Sequence, residues 1–341
     1  MSVFPRTAAI VGAGASGLLH GLAYRAHGVA ITAIHDIDLH RAHDLAGILG
    51  ARHVLGSIEE VADADVGCIS ICSPPRVHVA QASLCAARGR VLFVEKPVAT
   101  EVDDLARLGA LPGIVPIVQW RRGRALEAVR RAIAAGELGD APTVAMDLAW
   151  NRDAEYFSRG RGSRATWGCG AILSIGVHAL DAVCWALGSE PSAISGFVER
   201  WPGSDIETRA AVALRFRSLF SAATPNARAP LAALHVTLDA GPDRTFLAFA
   251  GNGVSARIEG GEADPTAGTV AWTAMEGSTR RRLEAIERES EGDLHGPLVV
   301  PFVGNALEAL RRGEAPGESD ALPSVADVRP GHDAAMRAAA L

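Results

Sequence analysis

A glycine-rich hexad, Gly12-Ala13-Gly14-Ala15-Ser16-Gly17, lies between a β-branched apolar run and a helix-like stretch. No other feature of the chain restricts its fold as much. Residues 7–11 read as a buried strand and residues 15–27 as a helix. At this spacing Gly12 allows a tight turn, Gly14 lets the backbone approach a pyrophosphate, and Gly17 lets helix and strand pack closely. A G-x-G-x-x-G string alone is a weak signal, but one that follows a strand and opens a helix has the context the motif requires. The helix N-terminus then offers unpaired N–H groups and a positive dipole end to phosphate. The competing reading is a glycine-rich turn with no ligand; the agreement of position, strand and helix argues against it.

The same alternation continues downstream. Residues 30–35, 66–71, 91–94 and 114–118 are apolar, β-branched and bounded by turn residues, as strands covered on both faces are. Helical patterns at 39–49, 77–87 and 101–108 separate them. Strands alternating with helices imply βαβ units and a doubly wound α/β sheet, the Rossmann arrangement. Beyond about residue 120 the rhythm changes. Helices are expected at 124–135, 171–187, 298–312 and 332–339, and strands at 143–150, 193–199, 209–216, 232–239, 245–250, 254–259 and 270–273. Successive strands without intervening helices indicate an antiparallel or mixed sheet. Segments 224–230 and 313–323 read as loops. A chain of 341 residues exceeds the roughly 250–300 at which single cores stop growing, so two domains are expected, 1–120 and 121–341.

Within this frame certain polar residues stand where chemistry is expected. Asp36 ends the second strand, 19 positions after Gly17. A carboxylate there accepts hydrogen bonds from ribose hydroxyls and repels a 2′-phosphate, which favours NAD. Asp38 is the alternative, as a helix N-cap, and Arg41 with His40 keeps NADP open. Ser73-Pro74-Pro75 and His78 follow the strand at 66–71, where the loop should border a cofactor; a proline-stopped strand end explains them equally well. Glu95-Lys96-Pro97 follows the strand at 91–94. Lys96 is placed for acid/base work, and Pro97 holds it extended. Taken alone, a surface lysine in a turn is the simpler reading. In the helix at 171–187, Ser174, His178 and Asp181 are four and three apart and share a face. Three polar groups on an apolar helix need polar company, supplied either by a hydroxylated substrate or by a self-satisfied His–Asp pair. No third metal ligand is evident, so no metal site is expected.

Read together, these segments resemble the Gfo/Idh/MocA family of oxidoreductases. The resemblance rests on Gly12 to Gly17, Ser73-Pro74-Pro75 with His78, Glu95-Lys96-Pro97, and the run from Gly168 through Gly176, His178 and Asp181. Gln119-Trp120-Arg121-Arg122 and Gly136-Glu137-Leu138-Gly139 also fit it. It implies an N-terminal Rossmann domain followed by an α/β domain with a large open, mostly antiparallel sheet. The implied activity is NAD(P)-dependent oxidation or reduction of a secondary alcohol or ketone on a sugar, cyclitol or related polyol. Lys96 matches the lysine that bonds the reacting oxygen, His178 the histidine on the same oxygen, and Asp181 the acid that orients substrate hydroxyls or the histidine. The cofactor set is then Gly12, Ala13, Gly14, Ala15, Ser16, Gly17, Asp36, Arg41, Ser73, Pro74, Pro75, His78, Glu95 and Lys96. Arg122, Asn151, Tyr156 and Trp167 join Ser174 and Asp181 as substrate contacts. The arginine-rich loop 159–164 suits an anionic group or is simply a mobile basic loop. The family pattern is broken at Ser174, where many members carry aspartate, and at Cys169, which replaces a glycine. The first change keeps open an internal redox cycle, imine reduction, or a regulator that binds NAD without catalysis. A homodimer or homotetramer through the C-terminal sheet is also implied.

Composition excludes other classes. The formal charge of −6 argues against a nucleic-acid partner. The longest apolar stretch, at 171–187, contains His178 and Asp181 and reads as a buried helix, not a membrane span. Five cysteines with no C-x-x-C pair, and no signal-peptide pattern at the N-terminus, lead to a cytoplasmic expectation.

Overall fold

The computed structural model describes residues 4–86, 89–219, 228–239, 241–260, 266, 268–290, 292 and 297–341; part of the expected loop 224–230 lies outside these. The chain divides into two compact units, Met1–Val118 with Val299–Arg329, and Gln119–Leu298 with Pro330–Leu341.

The first unit is built on six parallel strands: β1 (Thr7–Val11), β2 (Ala30–His35), β3 (His53–Val54), β4 (Cys68–Ile71), β5 (Val91–Val94) and β6 (Ile114–Pro116). Their spatial order is β3-β2-β1-β4-β5-β6. The order reverses between β1 and β4, and ligands of such sheets bind beyond the strand C-termini at that switch point. The strands are apolar because helices cover them: Ile10, Ile34, Ile69, Ile71, Leu92 and Phe93 are fully buried.

The sequence-based boundary at residue 120 needs one correction. The expected second domain, 121–341, does not keep its whole C-terminal part. Phe302, Val303, Ala306, Leu307 and Leu310 on the helix Val299–Arg311, together with Leu322 and Val328, are buried in one core with Ile10, Tyr24 and Ile34. The apolar stripe of that helix is what draws it back to the first unit.

The second unit is built on seven strands: β7 (Thr143–Ala149), β8 (Pro191–Arg200), β9 (Glu207–Phe216), β10 (Leu231–Thr237), β11 (Arg244–Gly251), β12 (Val254–Gly260) and β13 (Ala271–Ala274), in the order β13-β12-β11-β7-β10-β9-β8. All pairs are antiparallel except β7 with β10. Burial alternates along the strands with the period of the pleat. Val144, Met146, Leu148, Val212, Leu214 and Leu234 point inward, while Ala145, Ala211, Ala213 and Ala233 are exposed. The segment expected as one helix at 171–187 is a π-helical turn, Ile172–Gly176, running into an α-helix, Val177–Leu187, which ends at Gly188 in the left-handed region. Among the described residues no helix is long and apolar enough to cross a membrane.

Candidate active site

In the first unit the hexad forms the turn from β1 into the helix Ala15–Ala26. Gly12 has φ 99°, and a Cβ there would lie 2.5 Å from the Cys72 carbonyl oxygen. A Cβ on Gly17 would lie 2.2 Å from the Gly12 oxygen. Both glycines are therefore fixed by packing. Gly14 differs: the nearest atom to a Cβ there is Arg41 Nη2 at 3.5 Å. Open space thus lies over Gly14, the N-cap of a helix that no side chain caps. Asp36, just past β2, accepts the Ala13 N–H at 2.7 Å and the Asp38 N–H at 2.9 Å. Its charge is thereby tied to the glycine turn. Asp38 is the N-cap of the helix Leu39–Leu49, which leaves Asp36 outside the capping role. Ile37, which the sequence reading did not single out, is 95% exposed beside it.

Ser73, Pro74 and Pro75 follow β4, and the Ser73 hydroxyl donates to Gln81 Oε1. His78, expected at the cofactor, is instead fully buried. Its Nδ1 lies 2.9 Å from the Pro97 carbonyl and its Nε2 2.8 Å from that of Ser73. Burial lowers the imidazole pKa while the two carbonyls raise it, and the net direction is down. Both ring nitrogens face carbonyl oxygens, so His78 packs between the loop after β4 and the loop after β5 and has no ring nitrogen left over. Glu95 is likewise turned inward, accepting the Lys96 N–H at 3.0 Å. Its other oxygen is 3.4 Å from His20 Nε2, a loose ion contact, while His20 Nδ1 and Tyr24 Oη both reach Ser70 Oγ. Burial raises the Glu95 carboxyl, but the His20 and Lys96 groups outweigh it and hold it below the usual range. Lys96 itself is half-buried at the carboxyl end of β5. It is also the only lysine in a chain with 33 lysine and arginine residues. Arginine cannot give up a proton near neutrality, whereas lysine can. A single lysine at a strand end is a signal visible in the sequence itself.

In the second unit His178 is 6% exposed and stacked on Trp120, with ring centroids 5.0 Å apart and planes at 17°. The Trp150 ring lies 6.0 Å away on a tilt. Asp181 turns to another partner. Arg121 grips it from both sides, Nε at 2.8 Å and Nη2 at 2.6 Å, and both residues are buried. With both oxygens held by a fork, Asp181 is an ion-pair partner of Arg121, which the spacing with His178 did not show. Ser174 sits half-buried in the π-helical turn. Arg122, Asn151, Tyr156 and Trp167 belong to the same unit. Gln119 Oε1, Trp120 Nε1 and Arg122 Nε are buried with no hydrogen-bond partner among the described residues. Three such atoms in four successive positions, beside the stacked His178, mark a surface that awaits polar company. Cys169 is buried, and Gly170 is required because a Cβ there would meet the Glu207 backbone oxygen and its carboxyl carbon at 2.5 Å or less. Glu207 accepts the Ile172 N–H at 3.1 Å at the start of the π-turn, and burial raises its carboxyl above the usual range. Among the described residues no group of His, Cys, Asp and Glu is arranged to hold a metal ion.

Comparison with solved structures defines the fold: a parallel Rossmann sheet and a second, mostly antiparallel sheet. The WlbA dehydrogenase from Bordetella pertussis, solved with NADH and UDP-GlcNAcA, superposes with a TM-score of 0.78 at 21% identity, covering 98% of this chain and 95% of that one. Levoglucosan dehydrogenase, solved with NADH and L-sorbose, gives 0.73 at 16% identity over 98% and 96%. The family follows from the sequence. Residues 6–111 match the model of the GFO/IDH/MocA oxidoreductase family, NAD-binding Rossmann fold, and residues 126–234 match the GFO/IDH/MocA C-terminal domain. The chain belongs to the GFO/IDH/MocA family. Among curated relatives, inositol 2-dehydrogenase 3 of Saccharopolyspora erythraea is 36% identical over 81 residues, 24% of each chain. Inositol 2-dehydrogenase of Mycolicibacterium smegmatis is 32% identical over 112 residues, 31% of this chain and 32% of that one. The matched stretches span less than two thirds of the length of these relatives.

The first unit fits NAD. The open face of Gly14 at an uncapped helix N-terminus suits a pyrophosphate, the Asp36 carboxylate suits ribose hydroxyls, and exposed Ile37 offers apolar surface to an adenine.

Proposed function

We propose that this protein is an NAD-dependent dehydrogenase acting on a secondary alcohol, or in reverse on the ketone, of a sugar, cyclitol or related polyol. The observation that carries the reading is the placement of the chain's only lysine at the carboxyl end of β5, in the sheet whose glycine turn fits a dinucleotide. NAD, when bound, supplies the hydride acceptor. Lys96, in its free-amine form, takes up the hydroxyl proton of the substrate as its carbonyl forms, becoming the ammonium. His178 hydrogen-bonds the reacting oxygen, held upright by its stack on Trp120. The orphaned polar atoms of Gln119, Trp120 and Arg122 receive substrate hydroxyls. The relatives named as inositol dehydrogenases support a polyol substrate.

The test begins with titration of the purified protein with NADH and NADPH, followed by tryptophan fluorescence. A screen of polyols and sugars for NADH formation comes next. Tighter NADH binding with turnover of any alcohol supports the reading. Tighter NADPH binding points instead to Arg41 as a 2′-phosphate ligand, and binding of neither removes the dinucleotide reading. Isotopic methylation adds a direct probe: with one lysine, only Lys96 and the N-terminal amine are labelled, and the Lys96 signal should shift when substrate binds.

We extend the proposal to assembly and location. The exposed face of the second sheet carries Phe197, 83% exposed, and Leu231, 50% exposed, together with exposed alanines and charged and polar residues such as Arg215 and His235. Apolar surface of this kind suits a homodimer or homotetramer, which light scattering would reveal. No disulfide links the five cysteines, in keeping with a reducing cytoplasm.

A further inference from the structure

The side chain that faces Glu95 comes from the helix opened by the glycine turn. His20 and Tyr24 are four apart on Ala15–Ala26, so they share a face, and both are fully buried. That face meets β4 at Ser70: His20 Nδ1 is 2.7 Å and Tyr24 Oη 2.5 Å from the Ser70 hydroxyl oxygen. It meets β5 at Phe93, whose ring lies edge-on to the imidazole with centroids 6.5 Å apart. Just past β5, Glu95 accepts the Lys96 N–H with one oxygen and turns the other toward His20 Nε2 at 3.4 Å. A run of contacts thus leads from Tyr24 through Ser70, His20 and Glu95 to Lys96, all within the first unit.

The proton count gives this run a direction. A carboxylate only accepts hydrogen bonds, so the ring nitrogen that faces Glu95 carries its proton there, and Nδ1 is left to Ser70. The Nε2 contact stops short of a hydrogen bond, and among the described residues that nitrogen is buried without one. Leaving such a group unbonded costs about 1–3 kcal/mol. His78, in the same unit and equally buried, has a carbonyl oxygen at each ring nitrogen. Fastening the helix to the sheet requires Ser70 and no more; what Nε2 adds is a proton beside the carboxylate that holds Lys96. The other titratable groups that act on Glu95 are Lys96, Cys72 and His78. Burial pushes the Cys72 thiol well up and the His78 imidazole down, so neither brings a charge at neutral pH. His20 and Lys96 are left to hold Glu95 ionised.

We propose that His20 is a positioning residue for Lys96. Through Nε2 it holds the Glu95 carboxylate in place, and the carboxylate, by accepting the Lys96 N–H, sets where the lysine stands at the end of β5. His20 is fully buried and meets no substrate itself. The role given to Lys96 rests on the dehydrogenase reading; the link from His20 through Glu95 does not.

The experiment uses the single lysine. Methyl groups of carbon-13 placed on Lys96 are followed by NMR from neutral pH down to 4.5, the ordinary carboxyl value. In wild type the Lys96 signal should stay flat, because Glu95 keeps its charge. In His20→Phe burial meets less opposition, so Glu95 takes its proton above 4.5 and the Lys96 signal moves with it. Adding Glu95→Gln should abolish that step, which assigns it to Glu95. His20→Gln, whose amide N–H reaches toward the place of Nε2, should pull the step back toward wild type. In the unmodified enzyme, His20→Phe should lower kcat by up to about 100-fold, the cost of a misplacement of about 1 Å, with NADH affinity and KM for the alcohol unchanged. His20→Phe with Glu95→Gln should be no slower than Glu95→Gln alone. Near-ultraviolet circular dichroism confirms the fold of each variant. Should His20→Phe not fold, Ser70→Ala releases the Nδ1 end of the ring and should show the same step at smaller size. A flat Lys96 signal in the folded variant overturns the link, as does a kcat loss that adds in full to that of Glu95→Gln. The two readings fail separately. A step at Lys96 without NADH formation from any alcohol leaves the link and removes the dehydrogenase. Full turnover in His20→Phe with no step removes the link and leaves the dehydrogenase.

Discussion

Glu95 and Glu207 are both buried carboxylates, one in each unit, and their environments push them in opposite directions. Burial raises both. Glu95 has the His20 imidazole and the Lys96 ammonium and N–H beside it, and these win. Glu207 has its own N–H, the Ile172 N–H, an Arg164 contact at 3.4 Å and the charge of Arg200, and burial still wins. The comparison teaches that burial alone does not decide the charge state of a buried acid; the balance between burial and its cationic and N–H neighbours does.

The largest expected effect falls on the Glu95 side. Lys96→Ala should lower turnover by roughly 10²–10⁴-fold while NADH binding persists, as loss of a general acid–base group does. Steady-state rates and a fluorescence titration check this together. The same variant removes a charge that holds Glu95 down, so its stability should fall less steeply in acid than that of wild type. Unchanged turnover would remove Lys96 from the chemistry.

The next effect concerns the third buried acid, Asp181, which unlike Glu207 has a complete fork to itself. Arg121→Met should cost about 3–5 kcal/mol by leaving that carboxylate buried and alone. Urea unfolding measures it, and adding Asp181→Leu should recover much of the loss. If the double variant is as unstable as the single one, packing and not charge governs the site. A smaller effect is expected from Gly170→Ala, whose Cβ would press on both the backbone oxygen and the carboxyl of Glu207. Overpacking of this kind costs about 1–3 kcal/mol, and Glu207→Ala in the same chain should relieve part of it.

The smallest effect tests the comparison directly. Glu95 is held below its usual 4.5, so its contribution to stability is present above that pH and is lost as pH falls through its folded value. Glu207 is held above 4.5, so its contribution is present below that pH and is lost as pH rises through its folded value. Glu95→Gln should therefore flatten the acid side of the stability profile and Glu207→Gln the side above 4.5. One proton changes the slope by about 1.4 kcal/mol per pH unit at most. Slopes of the same sign in both variants would break the contrast.

What could be read in the sequence was local. The glycine turn, Asp36, and Lys96 at a strand end follow from residues close together in the chain, and the structure has them where the pattern led. The strands of the second sheet were readable because burial alternates along them. What escaped was either short, unpatterned or distant. β3 has only two residues. The helix Gly277–Glu289 buries only Leu283, so no apolar stripe announces it. The π-turn at Ile172–Gly176 is a choice of hydrogen-bond partner that an apolar run does not spell out. Asp181 was grouped with His178 three positions away, whereas its partner Arg121 is 60 positions off. Trp120 and Trp150, which frame His178, come from two other segments and share no spacing with it.

The return of Val299–Arg329 to the first unit sets an order of events during synthesis. Ile10 and Tyr24 leave the ribosome early, but Phe302, Leu307 and Leu310, which complete their core, are translated after the whole of Gln119–Leu298. The nascent glycine-turn domain must therefore wait with apolar surface uncovered while the second unit is made. The interval between them is one in which a chaperone has something to hold.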